Sequence, residues 1–160
     1  MNSSVTVAAD LGLRLVVPGH GEVPLTASLS YRGDDPYAIR MAFHVGTDEP
    51  VEWIFARDLL AAGLDHAAGE GDVRVWPGTR SHRDVLHLSL SSPFGQAEFE
   101  VPLVAMTGFL ARTFEVVPAG HECDFIDIDG EVNELLRWAL GHQRHRRQRR
   151  TQVSPPPNLD

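Results

Sequence analysis

Eight histidines and one cysteine are the residues of this 160-residue chain that could ligate a metal ion or act as nucleophiles. Only His142 and His145, three residues apart on a possible helix, have a ligand-like spacing, and the arginines around them oppose a cation. Cys123 lies two residues from His121 on an extended segment without a third catalytic partner. We therefore predict no metal site, and a single cysteine gives no intramolecular disulfide.

Serines and a pair of carboxylates are the other residue types here that catalysis uses. Ser89, Ser91 and Ser92 lie at a strand end without the G-x-S-x-G turn that exposes a nucleophilic serine. Glu98 and Glu100 alternate with apolar residues, which predicts the solvent face of an amphipathic strand rather than an acid–base pair. The sequence therefore predicts no catalytic residue, no enzyme and no cofactor.

The strongest local charge is the basic run RHRRQRR, whose arginines are Arg144, Arg146, Arg147, Arg149 and Arg150. Residues 1–140 carry 9 arginines and 21 carboxylates, a net charge of −12, whereas residues 141–160 carry 5 arginines and one aspartate, a net charge of +4. Basic segments at chain ends bind nucleic acid or anionic lipid in many proteins and are simply solvated in others. Both interpretations stay open, and a polyanion would bind through this tail alone.

Seven segments are predicted to be strands: 4–17, 25–31, 39–45, 51–55, 73–76, 85–91 and 96–101. In the first three and in the last, apolar and polar residues alternate with the period of a half-buried strand. Helices are predicted at 56–64, at 103–113 and from Ile128 onward, where the third could extend into the arginines. Short turns between the strands imply antiparallel pairing, so we predict an α+β fold with about three helices.

The organisation of the chain follows from the same patterns. Residues 1–140 are predicted to form one domain, and residues 141–160, rich first in arginine and then in proline, a disordered tail. The chain has no apolar run of about 18 residues and no signal-peptide pattern at its N-terminus. We therefore expect a cytoplasmic protein, which its single cysteine also fits.

Arg57 is an unusual residue for the first turn of a helix, because its positive charge opposes the helix dipole, whereas Asp58 beside it is placed favourably. A carboxylate should compensate this charge, and the sequence suggests Glu52 or another acidic residue of the body. A solvated arginine is the alternative interpretation.

Three further residues are expected to have structural roles. Pro36 fixes its own φ angle in the turn GDDP and holds the preceding residue extended, which predicts a well-defined turn. Trp53 and Trp76 lie on predicted strands, and we expect both to pack in the core. An exposed tryptophan would instead be an anchor for a partner protein.

Four segments of the chain are similar to one known family. They are YRGDDPYAIRMAFHVG (31–46), VEWIFARDLLAAGLDHAAGEGDVRVWP (51–77), LSSPFGQAEFEVP (90–102) and FLARTFEVVPAG (109–120). Together they resemble the SsgA-like proteins of sporulating actinobacteria, small factors that control where division septa and the cell wall are laid down. The resemblance runs in order from about Val5 to Leu140 and assigns no role to the arginine run beyond it.

The resemblance implies a non-enzymatic adaptor at division septa that helps to recruit or guide the tubulin-like division protein FtsZ. It also implies a twisted antiparallel sheet arrangement with helices, similar to the whirly nucleic-acid-binding domains, assembled as a homotrimer. The alternative function is therefore a single-stranded nucleic-acid-binding module, which needs a positive groove with aromatic platforms. The net charge of −12 on residues 1–140 argues against that alternative.

Overall fold

The computed structural model of the protein describes residues 4–148, with side chains described for residues 4–138. Its strands are β1 (Thr6–Val17), β2 (Gly21–Arg32), β3 (Asp35–His44), β4 (Val51–Ala56), β5 (Val73–Arg80), β6 (Arg83–Ser92) and β7 (Gly95–Pro102). Its helices are α1 (Arg57–Gly63), α2 (Leu103–Val116), a 3₁₀ helix (Glu122–Phe125) and α3 (Ile128–Gln148). The predicted α+β class is confirmed, with the seven strands and three α-helices that the residue patterns indicated.

The strands form one antiparallel sheet in the order β4-β3-β2-β1-β7-β6-β5. β1 pairs with β2 along 12 residues but with β7 only at Arg14, Leu15 and Val16. Because this junction is short and strands twist, β1–β4 and β5–β7 turn their inner faces toward each other. The rings of Phe43 on β3 and Phe99 on β7 accordingly stack with their centroids 4.6 Å apart.

The core lies between these two halves of the sheet. Alternate residues of the strands are buried there, including Leu29 on β2, Met41 on β3 and Leu88 on β6. α2 adds one face to this core and buries residues at the three- and four-residue steps of an amphipathic helix: Met106, Phe109, Leu110 and Thr113.

α3 belongs to a second compact unit, which begins at Asp127, whereas the first unit ends at Ile126. The backbone N–H of Gly130 donates a hydrogen bond of 2.9 Å to the carboxylate of Asp127, as at a capped helix start. α3 continues to Gln148, so residues 141–148 of the predicted disordered tail are helical, because arginine and glutamine are good helix formers. Arg149 and Arg150 lie outside the described residues, and a domain boundary at residue 140 stays a prediction.

Candidate functional site

Arg57 is almost fully enclosed in the structure, with 1 % of its surface exposed at the start of α1. Its Nη2 donates a hydrogen bond of 2.6 Å to Oε1 of Glu122 in the 3₁₀ helix. Its Nη1 donates to the hydroxyl of Tyr31 at 3.0 Å and to the carbonyl oxygens of Thr113 and Val117 at 3.2 and 2.7 Å. One guanidinium therefore joins β2, α1, the C-terminal end of α2 and the 3₁₀ helix.

The prediction that a carboxylate of the body compensates Arg57 is confirmed, but this carboxylate is Glu122 and not Glu52. Glu52 is exposed on β4 and pairs with Arg40, whose Nη1 lies 3.5 Å from its Oε1. Arg57 and Glu122 are 65 residues apart in the chain, and no spacing rule in the sequence connects them. Asp58 is exposed in the first turn of α1, where its charge is favourable.

Aromatic rings complete the surroundings of the Arg57 guanidinium. Its central carbon lies 4.2 Å from the ring centroid of Phe114 and 5.2 Å from that of Tyr31. Burial of a charge is costly unless it is paired and its remaining donors are satisfied. The ion pair with Glu122 and the three further hydrogen bonds meet that condition, so this cluster fixes α1 and α2 on the sheet and has a structural role.

Pro36 contributes to the same cluster through its backbone. The hydroxyl of Tyr31 donates a hydrogen bond of 3.1 Å to the carbonyl oxygen of Pro36, and burial raises the pKa of this hydroxyl. Pro36 is buried in β3, just after the turn at Gly33 and Asp34 and not inside it. The strand register shifts at this point, which suits a residue without a backbone N–H.

The Glu122 carboxyl predicts how stability depends on pH. Its pKa lies below the ordinary value of 4.5, first because its own backbone N–H binds the carboxylate and second because Arg57 does. A carboxyl group whose pKa is lowered by folding stabilises the protein at pH values above its unfolded-state pKa. This stabilisation is lost as the pH falls through the folded-state pKa. When the pH is lowered below about 4.5, we expect the urea concentration at the unfolding midpoint of the wild type to decrease. The midpoint of Glu122→Gln should decrease less over the same pH range. Parallel curves for the two proteins would contradict this.

The two tryptophans occupy different environments. Trp53 is half-buried on β4 and packs against the core, with its ring 6.5 Å from that of Phe55. Trp76 is half-buried on β5, but it lies on the sheet face opposite the core residue Val75, and its ring stacks on that of His87 at 5.2 Å. The core position predicted for Trp76 is therefore wrong. Trp76 pairs with His87 in the β5–β6 register, and both rings lie on the outer face of the sheet.

The prediction that Glu98 and Glu100 both face solvent is only partly correct. Glu98 is half-buried, with Oε1 3.6 Å from Nδ1 of His87. Glu100 is 7 % exposed, and its Oε1 accepts a hydrogen bond of 2.7 Å from Arg80, which also pairs with Glu22. The long side chain of Arg80 reaches Glu100 from β5, across β6, and alternation along one strand does not reveal this contact.

A groove of about 1170 Å³ lies beside these ion pairs, between β1, β2, the β5–β6 turn and the start of α2. Leu25, Val85 and Val104 give it an apolar lining, and Arg14 and Arg83 are charged residues of its wall. An apolar centre with a polar rim is typical of surfaces that bind other proteins. No sequence motif marked this groove, because its walls come from six separate strands and helices and the β5–β6 turn.

The side chains of the described range do not assemble into a metal site. Among them, no group of three or more His, Cys, Asp or Glu residues could hold an ion. His121 contacts Asp124, with Nδ1 3.0 Å from Oδ2, and Cys123 is exposed.

Between residues 4 and 148, no helix is both long and apolar enough to cross a membrane.

Comparison with known proteins places this arrangement in a family. Residues 25–122, from β2 to Glu122, match the model described as Streptomyces sporulation and cell division protein, SsgA. The sporulation-specific cell division protein SsgB of Thermobifida fusca is 53 % identical over 135 residues, which cover 84 % of this chain and 98 % of that protein. SsgB of Streptomyces coelicolor is 47 % identical over 133 residues, with 83 % and 97 % covered.

A solved structure agrees with the sequence relatives. It is the SsgA-like sporulation-specific cell division protein of Thermobifida fusca, which superposes with a TM-score of 0.76 at 53 % identity. The match covers 84 % of this chain and 98 % of that structure. The chain therefore belongs to the SsgA family of sporulation and cell division proteins, and its role lies in sporulation-specific cell division.

Proposed function

We propose that this protein is a non-enzymatic adaptor that helps to position sporulation septa by recruiting or guiding FtsZ. The observation that carries the proposal is the 53 % identity to SsgB of Thermobifida fusca over 98 % of that protein's length. The shared fold, with a TM-score of 0.76 to the solved structure from Thermobifida fusca, accompanies this identity. Its place of action would then be the division septum.

The contacts of the charged side chains support an adaptor rather than a catalyst. Arg57 and Glu122 bind each other inside the fold, and Glu100 accepts a hydrogen bond from Arg80. These contacts stabilise the structure. Adaptors bind through exposed surfaces that combine apolar and polar side chains, and the groove lined by Leu25, Val85 and Arg14 is a candidate for such a surface.

Co-sedimentation with polymerised FtsZ of the same organism tests the proposal. We expect the full chain to pellet with FtsZ polymers at micromolar concentration and to stay in the supernatant without them. Residues 1–140 alone should also pellet, because the family match ends at residue 122. If no divisome protein is retained, and cross-linking in sporulating cells recovers none, the adaptor proposal fails.

Two further parts of the proposal concern assembly and the tail. We propose that the protein self-associates, because α3 exposes apolar side chains, among them Val132, Leu135 and Leu136, and closed symmetry covers such faces. The resemblance to the SsgA-like proteins makes a homotrimer the specific form that we propose. The arginine run from Arg144 to Arg150 would attach the adaptor to DNA or anionic lipid, supported by the charge of +4 on residues 141–160.

A further inference from the structure

The two edges of the sheet differ in how they are protected. The outer edge of β5 is partly covered, since Ala68 and Val75 exchange backbone hydrogen bonds of 2.8 and 2.9 Å. β4 is the other terminal strand, and no strand among residues 4–148 pairs with its outer edge. Val51 and Ile54 on β4 are 47 % and 54 % exposed. An open edge with apolar side chains is a template for a further extended strand.

An apolar pocket of about 300 Å³ opens beside the start of β4. Its lining includes the stacked rings of Phe43 and Phe99, together with Val51 and Trp53 of β4 itself. Phe94, at the turn between β6 and β7, also lines the pocket and is 99 % exposed. The pocket therefore has room and apolar contacts for one large side chain of a partner.

The charges around this edge are mostly negative. Asp48 and Glu49 are exposed just before β4, and Glu52 is exposed within it. Arg40 pairs with Glu52 but also with Asp35, so its single charge is shared between two carboxylates. Basic side chains of a partner would complement this rim.

The alternation of β4 specifies the order of side chains in such a partner. Val51 and Trp53 face the pocket, whereas Glu52 lies on the opposite face of the strand. Residues opposite each other on paired strands share a face. An apolar anchor directed into the pocket would therefore have neighbours directed toward Glu52, where arginine or lysine fits.

We propose that the β4 edge and the adjacent pocket bind an extended segment of a partner protein. This segment adds a strand to β4, inserts one phenylalanine or leucine into the pocket and carries basic residues on either side of it. The inference rests on the proposed adaptor function, to which it adds a docking surface. Its test uses a peptide that contains no part of FtsZ, so the two proposals can fail separately.

The probe is the fluorescent, end-blocked peptide Ser-Thr-Arg-Phe-Arg-Thr-Ser, titrated with the full-length protein and followed by anisotropy. Replacing its phenylalanine with alanine, replacing both arginines with glutamate, or methylating its backbone nitrogens should each weaken binding by at least about tenfold. If the original peptide does not bind at millimolar protein, or the methylated peptide binds equally well, the proposal is overturned.

Protein variants test the pocket and the charged rim separately. Ala97 lines the pocket, so Ala97→Leu should fill it and weaken the phenylalanine peptide about tenfold without affecting the alanine peptide. Phe94→Ser changes a fully exposed side chain and should weaken binding with the fold intact. The double variant Asp48→Asn, Glu49→Gln should weaken binding, and Asp65→Asn, which changes an exposed aspartate after the C-terminal end of α1, should not. Equal effects of the charge variants would overturn the proposal.

Sedimentation of the same variants distinguishes a second copy of the chain from a foreign segment. If Phe94→Ser dissociates an oligomer of the wild type, the surface is an interface between copies and the proposal is overturned. If the wild type binds the peptide but does not sediment with FtsZ, the docking surface is supported and the FtsZ function is overturned. If the wild type sediments with FtsZ but does not bind the peptide, FtsZ is recruited through another surface and the proposal of this docking surface is overturned.

Discussion

Arg57→Met should lower the free energy of unfolding by about 3–5 kcal/mol, the usual effect of removing one partner of a buried ion pair. Methionine keeps an apolar stem of similar shape but has no N–H to donate. The Glu122 carboxylate, the Tyr31 hydroxyl and two backbone carbonyls, those of Thr113 and Val117, would lose their donor together. Urea unfolding followed by circular dichroism measures the loss.

Arg74→Met is the matched control, because Arg74 is exposed on β5. It should change the free energy of unfolding by no more than about 0.5 kcal/mol. The double variant Arg57→Met, Glu122→Gln should be more stable than Arg57→Met alone, since a neutral amide replaces the uncompensated carboxylate. If Arg57→Met and Arg74→Met unfold at the same urea concentration, the structural role assigned to Arg57 is wrong.

Gly69→Ala should also destabilise the fold strongly, by about 2–4 kcal/mol, because backbone strain and a steric overlap act together. Gly69 has φ of +94°, a conformation that residues with a Cβ rarely adopt. A Cβ there would overlap the carbonyl oxygen of Val73, which belongs to the backbone and has little freedom to move. The neighbouring bridge between Ala68 and Val75, which covers the β5 edge, would be lost with it.

Gly71→Ala provides the comparison within the same loop. A Cβ at Gly71 meets no atom within 4 Å, and this glycine has no positive φ. Its replacement should be neutral or raise the free energy of unfolding by up to about 1 kcal/mol, through the lower entropy of the unfolded chain. Equal losses in both variants would show that neither the φ angle nor the overlap at Gly69 limits stability.

Strand and helix positions were predictable because the signal for them is local. β3 alternates polar and apolar residues from Ile39 to Phe43, and α2 repeats its buried residues at helical steps. Each pattern needs only its own segment to bury one face. The antiparallel pairing followed from short turns, such as Gly33 and Asp34 between β2 and β3.

The environments of individual side chains were predicted less well. Alternation along β5 and β7 shows that each strand has two faces, but it does not show what covers the outer one. Trp76 was predicted in the core and stacks instead on His87 outside it, and Glu100 was predicted in solvent and is covered by Arg80. Both differences arise from contacts with residues on other strands of the sheet.

By itself, the sequence determined the α+β class, the number of strands and helices and the family, because these depend on local periodicity and on matched segments of the chain. Only the tertiary structure decided that Glu122 binds Arg57 and that Phe43, Trp53 and Phe99 line one pocket. These contacts join β3, β4, β7, α1 and the 3₁₀ helix. The bend of the sheet at its short β1–β7 junction brings its two halves together, and the pairing that produces the bend is long-range.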